Sequence, residues 1–356
     1  MQAENIGRSI KAMVVDDAAF MRKALVEILS DSGDIEVVGV AKHGKEALDA
    51  IKTLRPDVIT LDVDMPIMDG LTTIKHIMIR DPLPVVMVSG LADQGKITFE
   101  ALSLGAVDFF PKPSGTVSDD IHDSGADLVR TLKVAAGINP RAIKRAVKTN
   151  PRPVHIKDRD KHAPSGLLVV VALQGAVSSF IRLASALFPL KHTACICIQD
   201  MSRAVLRAYA RELDAITGCA EAFVTAQRLY SGCCSLVGKY GLPEMRMDEA
   251  GEVYLECGEG VMGLETFLHK TAEIFGEDLN ICILGGQPGD EFYGLASVVD
   301  RGGRVYALAP DKCASGGLAK KAIELELARP FDTEQALWNS LKAFSRQLAL
   351  RKGFKA

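Results

Sequence analysis

The sequence predicts an α/β protein with two doubly wound sheet domains, at residues 10–115 and 166–350, joined by a helix and linker at 116–165. Short apolar runs alternate with amphipathic segments in both halves, the pattern of a parallel sheet covered by helices on its two faces. The stretch between them, NPRAIKRAVKTNPRPVHIKDRDKHAPSG, is basic, proline-bearing and poor in periodic apolar residues, as a linker would be. A chain of 356 residues, 48% hydrophobic and 24% charged, is long enough to bury two cores.

In the first half the strand candidates are Ala12–Val15, Glu36–Val40, Val58–Leu61, Val85–Val88 and Asp108–Phe110. Phe20, Ala24, Leu25, Ile28 and Leu29 recur at helical spacing, so Ala19–Leu29 reads as a helix with one buried face. Further helices fit Lys45–Leu54, Leu71–Ile79 and Ile97–Leu104, and Ile121, Leu128, Leu132 and Ala135 suggest another before the linker. The second half opens with a strand at Leu167–Ala172, a helix near Ser178–Leu187, a strand at Thr193–Ile198 and a helix near Arg203–Asp214. Its last third repeats the alternation with Ile281–Leu284, a helix from Asp290, the strand Arg304–Leu308, and helices near Leu318–Ala328 and Thr333–Leu348. No fixed-period repeat or low-complexity tract interrupts it.

Forty-two basic and 45 acidic side chains leave a net charge of -3, which gives no electrostatic footprint for nucleic acid. The N-terminal MQAENIGRSIKAM lacks the apolar stretch of a signal peptide, and no apolar run approaches the roughly 20 residues that span a bilayer. A cytoplasmic protein without membrane insertion is expected. All eight cysteines lie between Cys195 and Cys313 without a C-x-x-C pair, which points to reduced, mostly buried thiols rather than a zinc or redox motif.

In open α/β sheets, ligands bind beyond the carboxyl ends of the strands. In the first half those positions hold a consistent set. Asp16 and Asp17 follow the first strand, Asp62 ends the third, Ser89 ends the fourth and Lys112 follows the fifth. Three converging carboxylates repel one another unless a hard cation joins them, and Mg²⁺ suits carboxylate and water ligands. Asp62 would attack a phosphoryl group while the metal and Lys112 neutralise the transferring oxygens and the Ser89 hydroxyl bonds the product.

These residues resemble the response-regulator receiver family across residues 10–115, which implies a flavodoxin-like fold. The resemblance implies that Asp16 and Asp17 bind the divalent ion together with Asp62 and the Asp64 carbonyl, and that a histidine kinase phosphorylates Asp62. It also implies that Ser89 and Lys112 sense the phosphoryl group, with Phe109 at the family's rotating aromatic position. The segments VVDDAAFMRKAL, LDVDMPIMDGL, PVVMVSGL and GAVDFFPKPSGTVS are most similar to the receivers of chemotaxis receptor methylesterases.

Those proteins continue into a Rossmann-type sheet domain, and PSGLLVVVAL, ACICIQDM, RAYARELD, ILGGQPGDEFYGL and RGGRVYAL resemble it in order and length. That family hydrolyses methyl esters on receptor glutamates with a serine nucleophile, a histidine base and an orienting aspartate. Against its Gly-Ala-Ser-Thr-Gly-Gly turn this chain reads Ala172-Leu173-Gln174-Gly175-Ala176-Val177, which puts Gln174 at the nucleophile position. Its Gln-His-Met step corresponds to Gln199-Asp200-Met201, so the base becomes Asp200. The orienting aspartate finds its counterpart in Asp290. A carboxamide is not activated as an acyl acceptor, and an aspartate near its usual pKa of about 4 is a weak base at neutral pH. Ser178 and Ser179 are read as caps of the following helix.

The expectation is a two-component response regulator, phosphorylated on Asp62, that signals through a degenerate methylesterase-like domain. Its partners would be a histidine kinase, with chemoreceptors or a second copy of the chain as further candidates. Two competing readings are an active protein-glutamate methylesterase or deamidase, and a small-ligand sensor using the pocket near Gln174, Asp200 and Asp290.

Overall fold

The computed structural model describes residues 9–90, 94–112, 120–144, 146, 162–188, 190–201, 203–258, 260, 262–289 and 292–353. Most of the expected linker, residues 147–161, lies outside the described residues, as does Asp290. The chain divides into two compact units, Met1–Arg145 and Ala146–Ala356.

The first unit alternates β1 (Ile10–Val15), α1 (Ala19–Asp31), β2 (Ile35–Ala41), α2 (Gly44–Leu54), β3 (Val58–Asp62), α3 (Gly70–Arg80), β4 (Val85–Ser89), α4 (Gln94–Leu104), β5 (Asp108–Pro111) and α5 (Asp120–Ala136). Its five strands are parallel in the order β2-β1-β3-β4-β5. The central strands carry apolar residues on both faces because helices cover both, and every residue of β3 and β4 is buried. Each expected strand lengthens by one or two residues, since the hydrogen-bond ladder continues past the apolar run. The helix expected within 116–165 is α5, which packs on α1 inside this unit.

In the second unit β6 (Gly166–Ala172), α6 (Val177–Leu187), β7 (Thr193–Gln199) and α7 (Arg203–Thr217) are followed by short strands: β8 (Ala220–Ala222), β9 (Gln227–Arg228), β10 (Cys234–Gly238), β11 (Glu244–Met247) and β12 (Val253–Glu256). The chain then forms α8 (Leu264–Phe275), β13 (Leu279–Gly285), α9 (Phe292–Asp300), β14 (Arg304–Leu308), α10 (Gly317–Glu324), β15 (Arg329–Phe331) and α11 (Glu334–Arg351). Seven strands make a parallel sheet ordered β15-β14-β13-β6-β7-β10-β8, while β11, β12 and β9 form a small antiparallel sheet. The helix expected to reach Ala328 stops at Glu324. Glu326 turns left-handed at φ 57°, and the chain thereby swings Arg329–Phe331 alongside Tyr306–Leu308 as the edge strand.

Seven cysteines are buried in this unit and Cys257 is exposed. No helix among the described residues is long and apolar enough to cross a membrane.

Candidate functional site

The carboxyl ends of β1, β3 and β5 bring Asp16, Asp62 and Lys112 together. Asp62 is the last residue of β3 and is 3% exposed, and Asp16 is fully buried. Lys112 Nζ lies 2.8 Å from Asp16 Oδ2 and 2.7 Å from Asp62 Oδ2. The other carboxylate oxygens are held by backbone: Val63 N donates to Asp62 Oδ1 at 2.8 Å, and Ala18 N to Asp16 Oδ1 at 2.9 Å. Each carboxylate therefore keeps one oxygen fixed and turns the other to the ammonium. Burial, helped by the neighbouring Asp16 charge, pushes the Asp62 carboxyl above its ordinary value against the pull of Lys112. Burial also pulls the Lys112 ammonium down, but its hydrogen bonds to Asp16 and Asp62 outweigh that and leave it raised.

Asp17 is exposed beside them, and one carboxylate oxygen each from Asp16, Asp17 and Asp62 lie within 4.8 Å of one another. Three hard oxygen donors on a rigid strand edge fit Mg²⁺ far better than a soft-ligand metal. Asp64 stands exposed two residues beyond Asp62, and its side chain is not part of that group. Ser89 ends β4 and is buried, and its carbonyl accepts from Lys112 N at 2.8 Å, which anchors the lysine's backbone. Phe109 on β5 is turned into the core, at 6% exposure.

Sequence reasoning missed Arg22, whose guanidinium donates from one nitrogen to the carbonyls of Asp16 at 2.7 Å and Asp17 at 2.8 Å. It clamps the acidic loop to the first turns of α1; the Arg22-Lys23 pair one turn past the acidic residues was the available signal. The loop after β3 is closed by Gly70 N donating to Val63 O at 2.8 Å, and Asp69 Oδ1 accepts from Thr72 N to cap α3. A Cβ on Gly70 would stand 2.1 Å from the Asp62 carbonyl oxygen, so only glycine lets the helix start this close to the end of β3.

In the second unit Gln174 follows β6 and Asp200 follows β7; the strand order reverses between β6, which leads to β7, and β13, which leads to β14, so Gln174 stands at the switch point and Asp200 one strand from it. The two expected residues do meet: Gln174 Nε2 donates to Asp200 Oδ2 at 2.6 Å. Gln287 N, after β13, donates to Gln174 Oε1 at 3.3 Å, and Gln287 Nε2 donates to Ser315 Oγ at 3.0 Å. Four side chains thus link the loops behind β6, β7, β13 and β14. Gln287 and Ser315 escaped the sequence reading, because neutral side chains in glycine-rich loops carry no periodic signal. The cap expectation for the two serines needs correction. Ala176 is the N-cap of α6, Ser178 and Ser179 are buried in its first turn, and Arg182 donates to Ser179 Oγ at 2.9 Å.

The family model described as the response regulator receiver domain matches residues 12–122. The chain is 33% identical over 350 residues to the protein-glutamate methylesterase/protein-glutamine glutaminase of Symbiobacterium thermophilum, covering 92% of this chain and 94% of that one. It is similar to the response regulator domain of Thermotoga maritima CheB, at 43% identity over 37% of this chain and all of that one, with a TM-score of 0.35. It is also similar to the methylesterase catalytic domain of Thermotoga maritima CheB, at 20% identity over 50% of this chain and 97% of that one, with a TM-score of 0.43.

Proposed function

Because the chain belongs to the protein-glutamate methylesterase/protein-glutamine glutaminase family and carries a response regulator receiver domain, we propose that it is a response regulator phosphorylated on Asp62 whose output domain signals without the family's Ser-His pair. The observation that carries this reading is the Gln174–Asp200 hydrogen bond of 2.6 Å at the ends of β6 and β7 in the second unit, in a chain whose first unit holds an intact Asp16–Lys112–Asp62 arrangement. A carboxamide bonded to a carboxylate offers no hydroxyl to acylate, and the carboxylate is only a weak base at neutral pH. The site would bind and signal rather than hydrolyse.

In the receiver, an Asp62 carboxylate oxygen would attack the phosphorus of a phosphohistidine. The P–N bond breaks, its electron pair returns to the imidazole, and an acyl phosphate forms. Lys112, already paired with Asp62 Oδ2, is in place to neutralise the arriving oxygens. Asp16, Asp17, Asp62 and the Asp64 carbonyl would hold Mg²⁺, which supplies further charge neutralisation when bound. Ser89 would bond the phosphoryl group afterwards, with Phe109 as the switching aromatic. The donor would be a histidine kinase, and chemoreceptors or a second copy of the chain would read the phosphorylated state.

The test is methanol release from methylated chemoreceptor by the full chain, with and without phosphorylation, beside a Gln174→Ser/Asp200→His variant. No release by wild type in either state is expected; release that rises on phosphorylation would overturn the reading. Partner binding supplies a second arm, in which Asp62→Asn protein should not acquire the behaviour of phosphorylated wild type. Retained methylesterase or glutaminase activity is the second reading, favoured by the name of a relative that matches over 92% of this chain.

A further inference from the structure

Ile67 forms the tip of the loop between β3 and α3 with a φ of 69°, and its side chain is 77% exposed. The surrounding backbone is tied down on three sides: Met68 N donates to Pro66 O, Gly70 N to Val63 O, and Gly44 N to Met68 O. Left-handed backbone is comfortable for glycine or asparagine, whereas a β-branched residue there is an outlier whose Cβ crowds its own carbonyl. Ile67 therefore carries two costs, a strained backbone and an apolar side chain left in water. With so little of it covered, packing within its own unit recovers neither. A strained residue held rigidly beside a reacting group points outward, to function.

Its position says what would cover it. Gly70 lies against the Asp62 backbone, and Ile67 is three residues before it, so three Cα steps keep Ile67 within about 11 Å of Gly70. Asp62 is 3% exposed at the end of β3, so a donor protein must come close to the carboxyl end of that strand, where the loop carrying Ile67 begins. Even a small transient interface, at about 600 Å² per partner, covers a disc of about 14 Å radius. A footprint laid over the end of β3 and the start of α3 takes in the loop that holds Ile67.

We propose that Ile67 is a docking residue for the macromolecular phosphodonor, an apolar knob that is buried against the phosphohistidine-bearing domain when the P–N bond is cleaved and the Asp62 acyl phosphate forms. The inference rests on Asp62 as phosphoacceptor. It makes Ile67 a determinant of which donor is used, with no part in the chemistry.

The experiment compares full-length wild type with Ile67→Asn and Ile67→Leu in two Mg²⁺-containing assays: phosphorylation by phosphoramidate, and transfer from an autophosphorylated chemotaxis-type histidine kinase that phosphorylates wild type. Ile67→Asn should keep the phosphoramidate rate and lose about tenfold in kcat/KM for kinase-borne transfer, while Ile67→Leu keeps both. Unchanged transfer from the kinase to Ile67→Asn overturns the proposal. So does a phosphoramidate rate that moves in parallel, since Ile67 would then shape the site itself or be covered by another part of the chain. A wild type that takes no phosphoryl group from phosphoramidate, or takes it on a residue other than Asp62, refutes the phosphoacceptor reading and removes the inference with it.

Discussion

Lys112 bridges two buried carboxylates, and the balance of that trio sets how the receiver unit responds to pH. Asp62 has a raised value in the folded chain, so its contribution to stability is full below the unfolded value of about 4 and is lost as pH rises through the higher folded value. Above that window the ionised carboxylate is a net cost. Asp62→Asn should therefore be more stable than wild type at pH 8 in EDTA, with the advantage shrinking as the pH is lowered toward 3.5, read from urea midpoints. Lys112 is also raised, so its contribution persists through neutral pH and is lost only in alkaline solution. Lys112→Met should destabilise at pH 7 by about 3 kcal/mol, because it strands two buried carboxylates. Ile67→Asn should do the opposite and raise stability by about 0.5–1 kcal/mol by relieving its backbone. The acidic set was legible in the sequence because each member ends or follows an apolar run. The left-handed Ile67 was not, since a backbone angle imposed by loop closure leaves no mark in residue type.

Among the secondary-structure elements, α6 and α11 are joined by Arg182 and Glu334, with Nε–Oε2 at 3.0 Å and a terminal nitrogen–Oε1 at 2.5 Å. Both side chains are largely buried, at 13% and 11% exposure, so removing Arg182 takes the ion-pair partner from a buried Glu334 carboxylate. Arg182→Met should lower the unfolding free energy of this unit by about 3 kcal/mol, and Arg182→Met/Glu334→Met should recover most of it, measured by denaturant titration. The long elements were readable from the sequence, as apolar runs flanked by helical periodicity mark buried strands such as Leu279–Gly285. The region from Ala220 to Glu256 was not. Its strands are two to five residues long, too short for any period to register, and β9 and β12 pair across a gap filled by β10 and β11. The end of α10 was misread for a related reason, since Leu325, Leu327 and Ala328 continue an apolar pattern after the backbone has already turned at Glu326.

For the molecule as a whole, the sequence read the two halves with unequal clarity. The receiver's charged residues announce themselves at strand ends. The second unit's linked side chains, Gln174, Asp200, Gln287 and Ser315, are mostly neutral, and only two of them stood out. The placement of the cysteines carries a practical consequence. Burial raises the thiols of Cys195, Cys197, Cys234 and Cys282, and pushes Cys219 and Cys313 up to about 12. Only Cys257 is exposed among the eight, and the receiver has none. Brief iodoacetamide treatment of the native chain should add one carbamidomethyl group by intact mass, and treatment in denaturant should add eight. Alkylation thus acts as a mass-resolved stopwatch for opening of the second unit alone, blind to whatever the receiver unit is doing.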